Sequence, residues 1–245
     1  MAADPQIPPG AKPSRARQPL LAPWWHTAIL IAVLLLASVN GTRGRHLLAS
    51  GGSKLPQYLW TMTWEGILVG FVRLGTRKHI RLRELVGGRW ARPEEFCLDM
   101  VYAGVFWVCA MFVLGVAAKL MHLVQAGKIE SMRRALGFLA PRSSLELAVW
   151  FCVSATAGFC EEIIFRGYLQ RQLAAIGNSM LVGVLLSALV FGAAHGYEGL
   201  ARMVLIAIYG LMFGLLAWWR KSLRPGMIAH AWHDSLSGAV LRMMK

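Results

Sequence analysis

Apolar stretches long enough to cross a bilayer recur along most of this 245-residue chain, and that recurrence limits the fold more than any other feature. A span needs about 20 apolar residues in helical form. With 56% hydrophobic residues, 16% charged residues and a mean hydropathy of +0.50, the sequence leaves little material for a water-soluble domain. Backbone groups in hydrocarbon must be bonded within their own segment, so stretches of this kind become helices. The spans are read at about residues 20–39, 58–72, 97–118, 145–176, 180–195, 203–219 and 226–243. The expected fold is therefore all-α, a polytopic transmembrane bundle of about seven helices.

Three segments divide the chain. Residues 1–19, rich in Pro and Ala with Lys12, Arg15 and Arg17, read as a disordered basic cytoplasmic tail. Residues 20–130 hold the N-terminal transmembrane helices, and residues 131–245 a second transmembrane core. The first apolar stretch lacks an A-x-A site, and Trp24-Trp25 suits an interfacial anchor, so it reads as a retained helix rather than a cleaved signal. Residues 119–134 mix Lys, His, Arg and Leu in the manner of a helix lying on the membrane surface.

The net charge of +14 does not indicate nucleic acid. Lys and Arg gather in short segments between apolar runs, and no nucleic-acid-binding signature accompanies them. Anionic membrane lipid is their expected partner. The basic residues are split 14 to 11 in favour of an inside N-terminus. Cys97, Cys109, Cys152 and Cys160 match neither a metal pair nor a disulfide framework and read as small buried hydrophobes.

Against this background, Glu161-Glu162-Ile-Ile-Phe-Arg166 stands out. Each ionised group in such a setting costs about 2.5–3.5 kcal/mol by insertion scales, so such groups face a protected interior and carry chemistry or transport. Glu162 and Arg166, four apart with the acid first, suit an ion pair on one helix face. Glu161 projects about 100° away and is left free as a general base.

Two further polar sites follow. Gly177-Asn178 is a turn signal. Glu161 lies 17 residues before Asn178 and His195 17 after it, so an antiparallel hairpin sets both at one depth, about 25 Å from the turn. Such a pair can hold a water or a metal ion. Phe191 and His195 share a face, as do His230 and Asp234. A neutral His230 can donate to a developing oxyanion, with Asp234 fixing its tautomer. His233 points elsewhere. Glu65, in mid-span between tryptophans, is read either as lining the cavity or as pairing with a basic residue in the bundle. Asp99 suits the positive end of its helix dipole, and Gly66 with Gly70 forms a G-x3-G of the kind used for helix packing.

Taken in order, E-E-x3-R, F-x3-H and H-x3-D resemble the CAAX-processing and bacteriocin-processing family of intramembrane proteases. The resemblance covers residues 134–238 and extends to Ala157-Gly158-Phe159-Cys160, Phe165-Arg166-Gly167-Tyr168-Leu169 and Ser222-Leu223-Arg224-Pro225. It implies hydrolysis of peptide bonds in the membrane by a water that Glu161 and His195 activate. It further implies that His230 and residue 234 stabilise the tetrahedral intermediate, and that the site opens toward the cytoplasm. Asp234 departs from the Asn of the prenyl-processing enzymes, and an ionised carboxylate cannot donate to an oxyanion, so it is expected to orient His230 or a metal, or to make Glu161 more basic.

No cofactor is required on this reading, although Glu161, His195 and His230 also make a two-histidine, one-carboxylate set suited to zinc. A peptide or membrane-protein substrate is implied, and the compact chain suggests a bacterial inner membrane. A proton-coupled transporter is the first rival, but no internal repeat is evident. The second is a non-catalytic scaffold or bacteriocin-immunity factor, and no motif residue is missing to support it.

Overall fold

The computed structural model describes residues 19–48, 52–122, 130, 137 and 139–243. Among them are eight helices and no strand: α1 (Trp24–Leu48), α2 (Leu55–Thr76), α3 (Leu82–Val86), α4 (Pro93–Leu120), α5 (Ser144–Ile176), α6 (Met180–Ala194), α7 (Leu200–Arg220) and α8 (Arg224–Met243). Seven are long, close to the expected number, and α3 is a single extra turn. Four spans are both long and apolar enough to cross a membrane: Trp24–Gly41, Pro93–Leu120, Ser144–Ile176 and Leu200–Arg220. The remaining long helices miss that standard for physical reasons. α6 is apolar but 15 residues long, α2 carries Glu65 and Arg73, and α8 carries His230, His233 and Asp234. The chain is an integral membrane protein.

Local chemistry sets the helix ends. Pro93 opens α4, with Glu94 and Glu95 in the first turn, where the dipole favours acids. The Ser143 hydroxyl accepts from the Glu146 N–H at 3.1 Å and caps α5. Asn178 at φ 50° reverses the chain between α5 and α6, as the turn signal predicted. Gly87 closes α3 at φ 97° against Ser222, where a Cβ would lie 2.7 Å from the Ser222 Cα.

α5 is the axis of the bundle. At ~1.5 Å per residue its 33 residues reach about 50 Å, more than the ~30 Å hydrocarbon layer. Half of its most apolar stretch is buried, against 17–28% for the other three spans, because neighbours cover it on several sides. Leu30 and Leu34 of α1, Leu68 and Val72 of α2, Ile163 to Phe165 of α5 and Phe191 of α6 form one apolar core. Phe213, Tyr209 and Ala229 form a second with Ala103 and Ala110 of α4. Glycines bring α5 and its neighbours close: a Cβ on Gly158 would lie 2.8 Å from the Met227 carbonyl of α8, and one on Gly192 2.6 Å from the Met203 carbonyl of α7.

Several expectations are corrected. Cys97, Cys109 and Cys152 are exposed, and only Cys160 is buried. An apolar residue on the outside of a membrane bundle meets lipid, so apolar surroundings in sequence did not mean burial. A Cβ on Gly66 or Gly70 would meet no described atom within 4 Å, so this G-x3-G packs no described helix. Asp99 is buried among Arg220, Arg224 and Trp90 rather than answering only its helix dipole. Residues 1–18 of the tail and residues 123–129 and 131–134 of the surface-helix segment lie outside the described residues.

Candidate active site

Near its middle α5 changes winding. Glu162–Leu169 is π-helical, and every residue in it is buried. The i→i+5 pattern is rare and is found mostly at functional sites. Neighbours supply what the altered winding needs: the Ser187 hydroxyl of α6 donates to the Phe165 carbonyl at 2.7 Å.

Within this segment Arg166 Nη1 donates to Glu162 Oε1 at 2.9 Å, both side chains being about 1% exposed. A buried ion pair is best tolerated when its remaining hydrogen-bonding groups are met, and although Glu162 Oε2 has no hydrogen-bond partner among the described residues, the guanidinium is held further. Arg166 Nη2 accordingly donates to the Gly210 carbonyl of α7 at 3.1 Å, and the guanidinium lies 4.3 Å from the Phe191 ring centroid and 4.9 Å from that of Phe213. A Cβ at Gly226 would lie 3.1 Å from Glu162 Oε2, so the start of α8 approaches this carboxylate closely.

Glu161, one residue earlier, faces a different set of partners. Its Oε1 lies 3.9 Å from His195 Nε2 and its Oε2 3.6 Å from His230 Nε2. The carboxylate of α5 thus stands between an imidazole at the end of α6 and one in α8. His195 lies just past the last residue of α6, and the depth-matching across the Asn178 turn brings it to Glu161. The His195 Nδ1 lies 2.9 Å from the Phe191 carbonyl, which can only accept. Nδ1 therefore carries the hydrogen, and in the neutral ring Nε2 offers a lone pair toward Glu161.

His230 is oriented the same way, by a contact that the sequence did not reveal. Its Nδ1 lies 3.3 Å from Glu162 Oε1, so one carboxylate oxygen accepts from both Arg166 and His230. Its Nε2 is directed to Glu161 and, at 3.7 Å, to Asp234 Oδ2. The Phe213 ring stacks on the imidazole at 5.1 Å. Asp234 is fixed through its backbone, since Trp150 Nε1 donates to its carbonyl at 2.8 Å. The structure thus gathers Glu161, Glu162, Arg166, His195, His230 and Asp234 in one place. His233 turns instead to Tyr209, with ring centroids 5.0 Å apart.

Glu65 of α2 completes the setting. It is buried, within electrostatic reach of Glu161, His230 and Asp234, and its Oε2 has no hydrogen-bond partner among the described residues. Of the two readings open in the sequence, the position beside the site is the one the structure has. Tyr209 and Phe213 carried no sequence signal, because an aromatic residue in an apolar helix looks the same wherever it points.

A tetrahedral zinc draws its ligand atoms to ~2.0–2.2 Å from one point. Among the described residues no three His, Cys, Asp or Glu side chains converge in that way. Glu161 instead turns one oxygen to each imidazole, at separations longer than a direct hydrogen bond. Polar atoms more than 3.5 Å apart are commonly bridged by water, and a water there has a carboxylate acceptor on one side and an imidazole lone pair on the other.

Residues 143–236 match the family model described as type II CAAX prenyl endopeptidase Rce1-like. No curated protein and no solved structure matches the chain. The matched segment begins at the Ser143 cap of α5 and ends two residues after Asp234, so it takes in every candidate residue except Glu65.

Proposed function

We propose that this membrane protein, whose residues 143–236 match the model of the Rce1-like CAAX endopeptidases, hydrolyses peptide bonds of membrane-associated or lipidated polypeptides with a water activated by Glu161 and His195. The observation that carries the proposal is the Glu161 carboxylate lying between the His195 and His230 imidazoles, on a segment locked by Glu162 and Arg166.

In the proposed reaction, the water gives one hydrogen bond to Glu161 and the other to His195 Nε2, leaving an oxygen lone pair for the scissile carbonyl carbon. As the C–O bond forms, the proton passes to Glu161. The negative charge on the carbonyl oxygen is met by the Nε2 hydrogen of His230 as the imidazolium, whose Nδ1–H is held by Glu162 and whose charge Glu162 and Asp234 balance. Glu161 then returns its proton to the leaving amine as the C–N bond breaks. Glu162 and Arg166 act by position: together they hold the His230 ring and the π-helical segment. No step requires an ion, and a hydrolase working from a half-buried carboxylate and two imidazoles is consistent with the whole set.

The test is cleavage of a fluorogenic peptide library by purified protein in nanodiscs. Glu161→Ala and His195→Ala should each lower cleavage by about 10²–10⁴-fold, the usual worth of a general acid–base group. Retained cleavage in either variant removes that residue from the mechanism. Folded wild type that cleaves nothing transfers the site to a scaffold or transport role. Loss of cleavage in chelator, restored by zinc, would bring an ion to Glu161, His195 and His230.

A further inference from the structure

Away from the candidate active site, Asp99 of α4 is enclosed by two arginines. Arg224 Nε lies 2.9 Å from its Oδ2 and Arg220 Nη2 3.6 Å from its Oδ1, while Trp90 Nε1 donates to Oδ2 at 2.8 Å. One carboxylate faces two guanidiniums, so the cluster keeps one positive charge in excess. Arg220 Nε and Arg224 Nη1 have no acceptor among the described residues. Neither arginine is sealed in: their side chains are 24% and 14% exposed, and the two unpartnered nitrogens are buried just beneath that surface. The adjoining helix ends do not supply the missing charge, because the negative end of α7 and the positive end of α8 meet there and offset each other.

The surroundings indicate which anion fits. Trp90, Phe96 and Trp219 ring the cluster and are exposed, and Arg220 lies 3.9 Å from the Tyr102 ring centroid. Exposed aromatic rings at the ends of apolar spans mark the membrane–water boundary. Residues 77–99 and 220–224 carry nine Lys and Arg against four Asp and Glu. The two segments form one surface, since the Leu223 N–H donates to the Val86 carbonyl at 2.9 Å. A basic, aromatic-rimmed notch at that level meets the phosphates of acidic lipids, and guanidinium edges suit phosphate oxygens.

We propose that Arg220 and Arg224, braced by Asp99, bind the phosphate of an anionic phospholipid headgroup. The site is separate from the Glu161 centre and does not depend on the hydrolase reading. Native mass spectrometry of detergent-solubilised protein titrated with phosphatidylglycerol or phosphatidylcholine tests it. Wild type should retain phosphatidylglycerol in preference, and Arg220→Gln or Arg224→Gln should weaken that binding by roughly tenfold or more, as loss of a charge-assisted hydrogen bond does. Arg224→Lys keeps the charge and should fall between, which separates lost recognition from lost folding. Arg89→Gln removes an exposed charge from the same surface and should leave binding within about twofold of wild type.

Equal retention of both lipids, or an equal loss in Arg89→Gln, overturns the site. Thermal stabilisation by inorganic phosphate that matches phosphatidylglycerol would assign the arginines to free phosphate and overturn the lipid source.

Discussion

A carboxylate as deeply buried as Glu162 is stable only with its partners in place. Arg166 and His230 both give hydrogens to the same oxygen, and Arg166 is in turn held by the Gly210 carbonyl. Replacing Arg166 by Met leaves a buried anion without its cation, which costs about 3–5 kcal/mol. The expected result is a large fall in thermal unfolding temperature in detergent, partly recovered in the Glu162→Gln, Arg166→Met double variant, where neither charge remains. A double variant as unstable as Arg166→Met alone would mean that packing of the arginine stem, not the ion pair, carries the effect.

The pairing itself was legible, because four-residue spacing in a helix needs no knowledge of the rest of the fold. So was the meeting of Glu161 with His195, since equal distances from one turn translate into equal depth. The His230–Glu162 contact was not legible, because it depends on how α8 is rotated against α5. The two arginine partners of Asp99 were hidden for a related reason: they lie more than 120 residues away in sequence.

At the level of elements, the decisive feature is the π-helical stretch of α5, and no residue pattern announced it. Regular α-helical spacing and the observed winding both place Glu162 and Arg166 on one face, so the motif is blind to the difference. What holds the stretch is tertiary: the Ser187 hydroxyl of α6 meets the Phe165 carbonyl at 2.7 Å. Ser187→Ala removes that donor but leaves the Phe165 carbonyl its bond from the Gln170 N–H, so the cost is about 0.5–1.5 kcal/mol, the net worth of one hydrogen bond. If the π winding positions Glu161, cleavage should fall further in this variant than the modest loss of stability explains. Ser187→Thr, which keeps the hydroxyl, should restore it. A variant with lowered unfolding temperature but unchanged cleavage per folded molecule would make Ser187 a purely structural donor.

Across the whole molecule, the solvent differs from that of a soluble fold, and with it the meaning of an apolar residue. Exposed Phe112, Val108 and Leu120 on α4 present hydrocarbon to hydrocarbon, and the exposed cysteines belong with them. Polar contacts therefore specify how the helices assemble, since apolar faces are satisfied by lipid or by one another. Gln172, near the end of α5, is such a contact. Its Oε1 accepts from the Leu21 N–H at 2.7 Å, and its Nε2 donates to the Ala22 carbonyl at 2.6 Å. One side chain thus closes the backbone just before α1, and His26 and Thr27 reach the Tyr168 hydroxyl of α5 one turn further on, at 3.0 and 2.9 Å.

Because these are the bonds that fix the entry of α1, Gln172→Leu should strip the buried Leu21 and Ala22 N–H groups and the Ala22 carbonyl of their partner while keeping nearly the same volume. The cost is about 1–3 kcal/mol for each group left unmet. The effect should be local, since the His26–Tyr168 contacts and the apolar core remain. Limited proteolysis in detergent should then cut near residue 20 well before the rest of the chain, while cleavage of a fluorogenic peptide continues. A variant whose proteolysis pattern matches wild type would show that α1 is held by its core residues alone, and that Gln172 only fills the space beside it.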